Sequence, residues 1–408
     1  MVKSEEKIKT NDLPKNDGRT QDEYEYGDLS ENGGNEIQAI AKSDSVFAPK
    51  LYEEVITKTD GNVILSALSV ESVLAIAFLG AKGNTEKEIK KTMSLPSNKD
   101  LIKGFNKVSK SLKADDSVTT QIANHVYVKK GAKLLDSFKK DSEAIHKGII
   151  QDIDFSNSAK ATKSINKQVE KDTKGKIKDL FSSDSFDANT QLVLVNALYF
   201  KGKWNTQFDK KATEKGDFYV SSSKTVKADM MRQKARYSVL KLKGTKATAL
   251  KLPYKGDRFH MVVILPDEKD GLDQLQKDLS KVKFSEDFKF EKPSTYRVGL
   301  PKFKIETKIE LIEKLRKLGI KDLFDIKKAD LSGFTGSKGL YASALIQKAF
   351  IEVNEEGSEA AAATGMVVSS RSLNQPPSFV CDHPFIFFIK DSKTGIILFT
   401  GRVVNPTK

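Results

Sequence analysis

Apolar and polar positions are unevenly distributed along the chain. Residues 1–43 are polar, rich in Gly, Asn and Asp and short of apolar side chains, a composition that predicts a disordered tail. From Val46 apolar residues recur at helical spacing, and a folded unit is expected over 44–408. Asn62–Ile89 opens with a short apolar run and continues as a helix, and Lys99–Lys113 repeats apolar residues every three to four positions. Thr120–Val128 reads as a strand, two more helical patterns run to about Leu180, and Leu194–Asp209 is strand-like again. Ala249–Glu268 has the pattern of a hairpin turning at Lys255-Gly256-Asp257. Ser343–Gly357 and Phe379–Ile389 are the last strand-like runs.

Between those last two lies the most unusual stretch, VNEEGSEAAAATGMVVSSR, from Val353 to Arg371. Four alanines would ordinarily favour helix, but glycines flank them and the run is too short to hold a helix alone. Read with a period of two, Ser358, Ala360, Ala362 and Thr364 share one face, and all are small enough to be buried. Thr364, Met366, Val367 and Val368 bring back β-favouring chemistry. The stretch therefore reads as an exposed loop that can also become a strand. Extended from Gly357 to Arg371 it would reach about 50 Å, enough to cross a domain whose radius of gyration is roughly 20 Å.

Charge changes the picture in two places. The 408 residues carry a formal +14, yet Asp22–Glu31 (DEYEYGDLSE) sets Tyr24 and Tyr26 among five acids. It is either a solvated tail or an acidic lure for a basic surface. In the helix expected over Lys99–Lys113, Lys99, Lys103, Lys107, Lys110 and Lys113 fall within an arc of about 120°. Such a face is either a solubilising surface or a site for a sulfated polyanion. Nucleic acid fits poorly, because no aromatic residue interleaves with the lysines. One cysteine, Cys381, permits no internal disulfide, and it and the four histidines form no metal-binding or nucleophile motif. No apolar run approaches membrane-spanning length.

Taken together these stretches resemble the serpins, a family of serine protease inhibitors, over roughly Asp44–Lys408. The resemblance implies an α+β fold of three β-sheets and about nine helices, with an exposed reactive loop at about 355–377. It places the loop hinge at Glu355, Gly357, Ser358, Glu359, Ala360, Ala361, Ala362, Ala363 and Thr364. Ser66, Ser69 and Asn196 fall in the family's "shutter" beneath the central sheet, and Trp204 in its "breach", where insertion begins. Lys302 is expected to pair with Glu355. Two departures stand out: Ala67 replaces the usual proline, and Gln347 replaces the shutter histidine, so a proton switch at that position is not expected.

The family places its scissile bond about fourteen residues after the hinge glycine, which gives an antithrombin-like Arg371-Ser372. Arg371 is the only Lys or Arg between Val353 and Pro384, and a guanidinium suits the acidic specificity pocket of trypsin-like enzymes. Ser370 or Leu373 could serve a chymotrypsin-like enzyme. The function implied is suicide inhibition of a trypsin-like serine protease by a monomer, with heparin-like glycosaminoglycan as a possible activator and no catalytic residue or metal of its own. The alternative is a non-inhibitory serpin acting as carrier or chaperone, against which the small residues of SEAAAAT argue. Family analogy suggests a secreted regulator of a protease cascade such as clotting or innate immunity, its leader absent from this numbering; the alternative location is cytoplasmic.

Overall fold

The computed structural model describes residues 34–113, 118–145, 149–279, 288–358 and 375–408. Among them are nine α-helices: α1 (Gly34–Ile56), α2 (Ala67–Gly80), α3 (Gly83–Met93), α4 (Asn98–Lys113), α5 (Asp136–Ala144), α6 (Ser158–Asp172), α7 (Leu272–Leu279), α8 (Ile312–Leu318) and α9 (Ser332–Thr335). In chain order the strands are β1 (Val63–Leu65), β2 (Val118–Lys129), β3 (Ile149–Ile153), β4 (Leu192–Lys203), β5 (Glu214–Ser221), β6 (Lys224–Lys241), β7 (Ala247–Pro253) and β8 (Phe259–Pro266). They continue with β9 (Ser294–Pro301), β10 (Phe303–Glu310), β11 (Ala342–Val353), β12 (Gly357–Ser358), β13 (Ser378–Val380), β14 (Phe385–Asp391) and β15 (Ile397–Val403).

The central sheet runs β10-β11-β4-β2-β3, and the two-residue β12 attaches to one end of β4. β4 and β11 are parallel, as are β2 and β3, whereas β10 pairs antiparallel with β11 and β2 with β4. A strand inside such a sheet is covered on both faces, and the run LVLVNALYF of β4, apolar except at Asn196, is buried throughout. On one face α6 lays Ile165 and Val169 against Tyr127, Val193, Val195 and Tyr199. On the other, α2 and the second layer of strands build the main core. In that second layer, β1-β15-β14-β8-β7-β6 form one sheet, and β5, β6, β9 and β13 form another. The long strand β6 belongs to both, so the three expected sheets are present with two of them sharing a strand.

The expected tail boundary at residue 43 is corrected. α1 begins at Gly34, and Ile37 and Ile40 are buried. The sequence pattern hid this because only a few apolar residues occur before Val46. They suffice because α1 crosses α4 very closely: a Cβ added at Gly104 would stand 2.6 Å from both the Glu36 carbonyl oxygen and Ile40. Residues 1–33 lie outside the described residues.

α2 is buried on nearly every side, yet it carries Glu71, fully enclosed, close to the equally buried Asp44 of α1. Asp44 Oδ2 accepts the Ile397 N–H at 3.1 Å, and its Oδ1 has no partner. The Ser43 hydroxyl donates to the Met93 carbonyl at 2.6 Å, so Glu71 Oε2, 3.4 Å from that hydroxyl, is best satisfied when it carries a proton itself. Burial raises Asp44 to about 7. Burial, and then the Asp44 charge, raise Glu71 well above the usual carboxyl range. The folded chain thus holds protons that the unfolded chain releases near pH ~4. This contribution to stability is complete below that pH and is lost as pH rises through about 7 and beyond. Unfolding midpoints of wild type should fall between pH 5 and pH 8 by more than those of Glu71→Gln. Parallel curves for the two proteins would show that the pair is ionised at no cost.

Candidate functional site

The seam between β4 and β11 is closed. Their parallel ladder runs from the Ala342–Leu192 pair to the Phe350–Tyr199 pair, and at its middle Gln347 stands opposite Asn196. Both side chains are wholly buried. Gln347 Nε2 donates to Asn196 Oδ1 at 2.5 Å and to the Ser66 carbonyl at 2.8 Å, while Gln347 Oε1 accepts the Ser66 N–H at 3.0 Å. Asn196 Nδ2 in turn donates to the Ser69 hydroxyl and, at 2.5 Å, to Asn124 Oδ1. Asn124 on β2 donates to Ser72 Oγ at 2.6 Å. Ser66 also caps α2, its hydroxyl accepting the Ser69 N–H at 3.3 Å, so Ala67 takes the first helical position without the rigidity of proline.

Ser66, Ser69, Asn196 and Gln347 are thus brought together, as the resemblance implies. Asn124 and Ser72 complete the network and were not singled out from sequence. Ser72 is one of a few polar residues in an apolar helix and Asn124 one of several in β2, so sequence alone offers little to mark either. The network has no titratable member, so Gln347 serves as a fixed bridge between the strand and the helix entry.

At the top of the seam the chain turns back on itself. Asn354 and Gly357 exchange backbone hydrogen bonds, and Gly357 and Ser358 then pair antiparallel with Lys203 and Gly202. The glycine is obligatory: its φ is +140°, and a Cβ would stand 2.0 Å from the Gly202 carbonyl oxygen. Ser358 is fully buried and within 2.9 Å of the Tyr254 hydroxyl. Tyr254 stacks on Trp204, ring centroids 4.6 Å apart. Trp204 donates its indole N–H to the Asn354 carbonyl at 3.0 Å and its backbone N–H to that of Glu356 at 2.9 Å.

The foot of the loop is also held by charge. Lys302 Nζ lies 3.0 Å from Glu355 Oε2, and the Thr213 hydroxyl donates to Glu355 Oε1 at 2.8 Å. Burial pushes the Glu355 carboxyl up, but its backbone hydrogen bond, Thr213 and Lys302 together hold it below the usual range. Next to it, buried Glu356 pairs with Lys210. Tyr254, Thr213 and Lys210 become part of the site only through tertiary contact. The hinge foot is therefore more ordered than a flexible start at Gly357 would be. Glu359, Ala360, Ala361, Ala362, Ala363, Thr364, Arg371 and Ser372 lie outside the described residues.

On α4 the lysine face is present, with Lys99, Lys103, Lys107 and Lys110 exposed over buried Leu101, Phe105, Val108 and Leu112; the side chain of Lys113 lies outside the described residues. Lys107 is bound to Glu36 of α1 at 2.9 Å. The Lys107 hydrogen bond is the main reason why the Glu36 carboxyl lies below its ordinary range.

The described residues thus bring together a closed parallel seam, a buried polar lock across it and a tight turn that starts an antiparallel pairing at its top. The family model described as Serpin (serine protease inhibitor) matches residues 42–406. Leukocyte elastase inhibitor A of Rattus norvegicus is 36% identical over 379 residues, spanning 91% of this chain and all of that protein. Antichymotrypsin-2 of Bombyx mori is 39% identical over 364 residues, 88% of this chain and 96% of that one. The crystal structure of Serpin48 from the insect Tenebrio molitor superimposes with a TM-score of 0.82 at 34% identity, covering 90% of this chain and 98% of that one. The chain belongs to the serpin family: it is a serine protease inhibitor and not an enzyme.

The lock gives a direct test. Gln347→Ala would leave the Ser66 N–H and Asn196 Oδ1 without their partner in a dry interior, at about 1–3 kcal/mol for each orphaned group. The unfolding midpoint should drop by several degrees. A midpoint unchanged from wild type would show that the bridge contributes nothing to closure.

Proposed function

We propose that the protein is a suicide-substrate inhibitor of trypsin-like serine proteases and that Arg371-Ser372 is its bait bond. The observation that carries this reading is the antiparallel pairing of Gly357 and Ser358 with β4. Continued in that register, Thr364 would stand opposite Asn196 and Val368 opposite Leu192, so Gly357–Val368 would pair with the whole of β4. Ser358 is already buried, and Ala360, Ala362 and Thr364 would follow it onto the same face. Their small side chains make that insertion sterically easy. A carrier or chaperone has no use for such a match, which favours inhibition.

The chemistry follows from the protease. Its serine attacks the Arg371 carbonyl, the peptide bond to Ser372 breaks, and Ser372 departs as a free amine. Arg371 stays esterified to the enzyme. Insertion of the freed segment then carries the enzyme towards the far end of the sheet before water can release it. The two relatives named as elastase and chymotrypsin inhibitors share the scaffold, whereas primary specificity depends on the side chain entering the enzyme's pocket. The only guanidinium in the loop favours a trypsin-like partner; cleavage at Leu373 by a chymotrypsin-like enzyme is the second reading.

Mixed with trypsin, the protein should give a denaturant-resistant band near the summed mass, and Arg371→Ala should abolish it. Cleavage at this bond without the band would instead support a substrate-like loop and a non-inhibitory serpin.

The lysine face of α4 fits a heparin-like glycosaminoglycan that accelerates trapping, and a sulfated chain would have to displace Glu36 from Lys107 to use every cation. Heparin should raise the rate in a salt-sensitive way, with less effect after Lys103, Lys107 and Lys110 are changed to alanine and tighter binding in Glu36→Gln. A rate indifferent to heparin would leave this face an ordinary solvated surface.

A further inference from the structure

Away from the seam and α4, a group of unassigned cations lies on the ladder between β6 and β9. Arg232, Lys234 and Arg236 are exposed and alternate along β6, so they share one face. Arg297 of β9 is also exposed and stands directly opposite Lys234. Neither strand carries an acid from Met230 to Tyr237 or from Ser294 to Pro301. Among the described residues the side-chain hydrogen bonds of these cations go to neutral acceptors. Arg236 donates to the Pro293 carbonyl, at 2.9 Å from Nη2 and 3.3 Å from Nε, and Arg297 donates to Gln375 Oε1 at 2.8 Å. Like charges placed directly opposite each other weaken a sheet, so stability does not explain the arrangement.

The strip adjoins the second foot of the loop. Besides the Gln375 contact, the Arg297 N–H donates to the Pro377 carbonyl at 2.9 Å, and β13 then runs parallel to β9 with Ser378 beside Arg297. Four peptide units separate Arg371 from Gln375, and they can reach no farther than about 14 Å. A protease domain of typical size has a radius of gyration of roughly 17 Å. An enzyme with its serine at Arg371 must therefore lie beside Arg297.

We propose that Arg232, Lys234, Arg236 and Arg297 form a docking strip for an acidic surface patch on the target protease. The strip selects among enzymes of the same Arg specificity by the speed of their encounter. This rests on the inhibitory reading and on Arg371 as the bait. Facing charges of this kind raise association rates by about 10-fold or more at low salt and lose that advantage as salt screens them.

Anionic and cationic trypsins provide the probes, since they share primary specificity and differ in surface charge. The variant is Arg232→Gln/Lys234→Gln, which leaves both loop-foot hydrogen bonds of Arg297 untouched. Its control is Lys163→Gln/Lys167→Gln, exposed on α6, with the same change in net charge. At low salt the strip variant should trap anionic trypsin about 3- to 10-fold more slowly than wild type, with little change for cationic trypsin. The control should change far less, and the difference should vanish at high salt. Equal effects in both variants would reduce the strip to bulk charge and overturn the proposal, as would no effect in either. A strip variant that loses heparin retention but keeps its trypsin rates would assign the strip to a sulfated polyanion instead. Absence of any covalent complex between wild type and either trypsin would refute the inhibitory reading itself, which separates the two failures.

Discussion

The rest of the molecule depends on one parallel strand pair, β4 and β11. Each lies inside a sheet with both faces covered, so their ladder cannot loosen without exposing backbone groups that have no other partner. An inserted strand would satisfy those groups on both sides, and its pairing with β4 would be antiparallel, slightly the more stable arrangement. Gln347 concentrates the resistance to opening at mid-seam, because it ties β11 to β4 and to the entry of α2 with a single side chain. Its amide keeps the same charge at every pH, so the lock does not vary with proton concentration.

Much of this was legible in the sequence, for a physical reason. The hinge must be small to be buried and glycine-led to turn, and both demands leave a compositional mark at Gly357 and Ala360–Ala363. The serines of α2, Asn196, Trp204 and Lys302 sit in stretches whose resemblance to a known family is local and dense. Tyr254, Asn124 and Glu36 were not legible, because each matters through a partner 55 to 104 positions away in the chain. The start of α1 was missed for a related reason. Gly34–Ser43 has too few apolar residues to announce a helix, and it is held by one close crossing over Gly104.

That crossing also alters how charge should be read. From sequence, α4 presents an uninterrupted cationic face; in the fold, α1 delivers Glu36 to Lys107, and the face becomes a contested surface. The β6–β9 strip shows the opposite case. Its four cations come from two strands about sixty residues apart and look unremarkable in the chain, yet the register places Lys234 against Arg297 with no acid beside them. A run of lysines is thus neither necessary nor sufficient for a cationic site. What counts is which neighbours the topology supplies.

The same helix that carries the lock also carries its least comfortable residue. Ser69 and Ser72 of α2 face the polar network, whereas Glu71, about 200° away from Ser69 around the axis, faces α1 and Asp44. A helix enclosed on all sides has no solvated face on which to place a charge, so Glu71 must be neutral or destabilising. Burial above all, and then the Asp44 charge, keep it protonated, and burial raises Asp44 itself to about 7. Ionising the pair loads repulsion onto the floor beneath the seam, on the side opposite the serines that hold it shut. The lock itself does not titrate, but the helix it is fastened to is anchored by groups that do. Rising pH therefore weakens the anchorage of α2 to α1, through residues that lie outside the polar network of the seam.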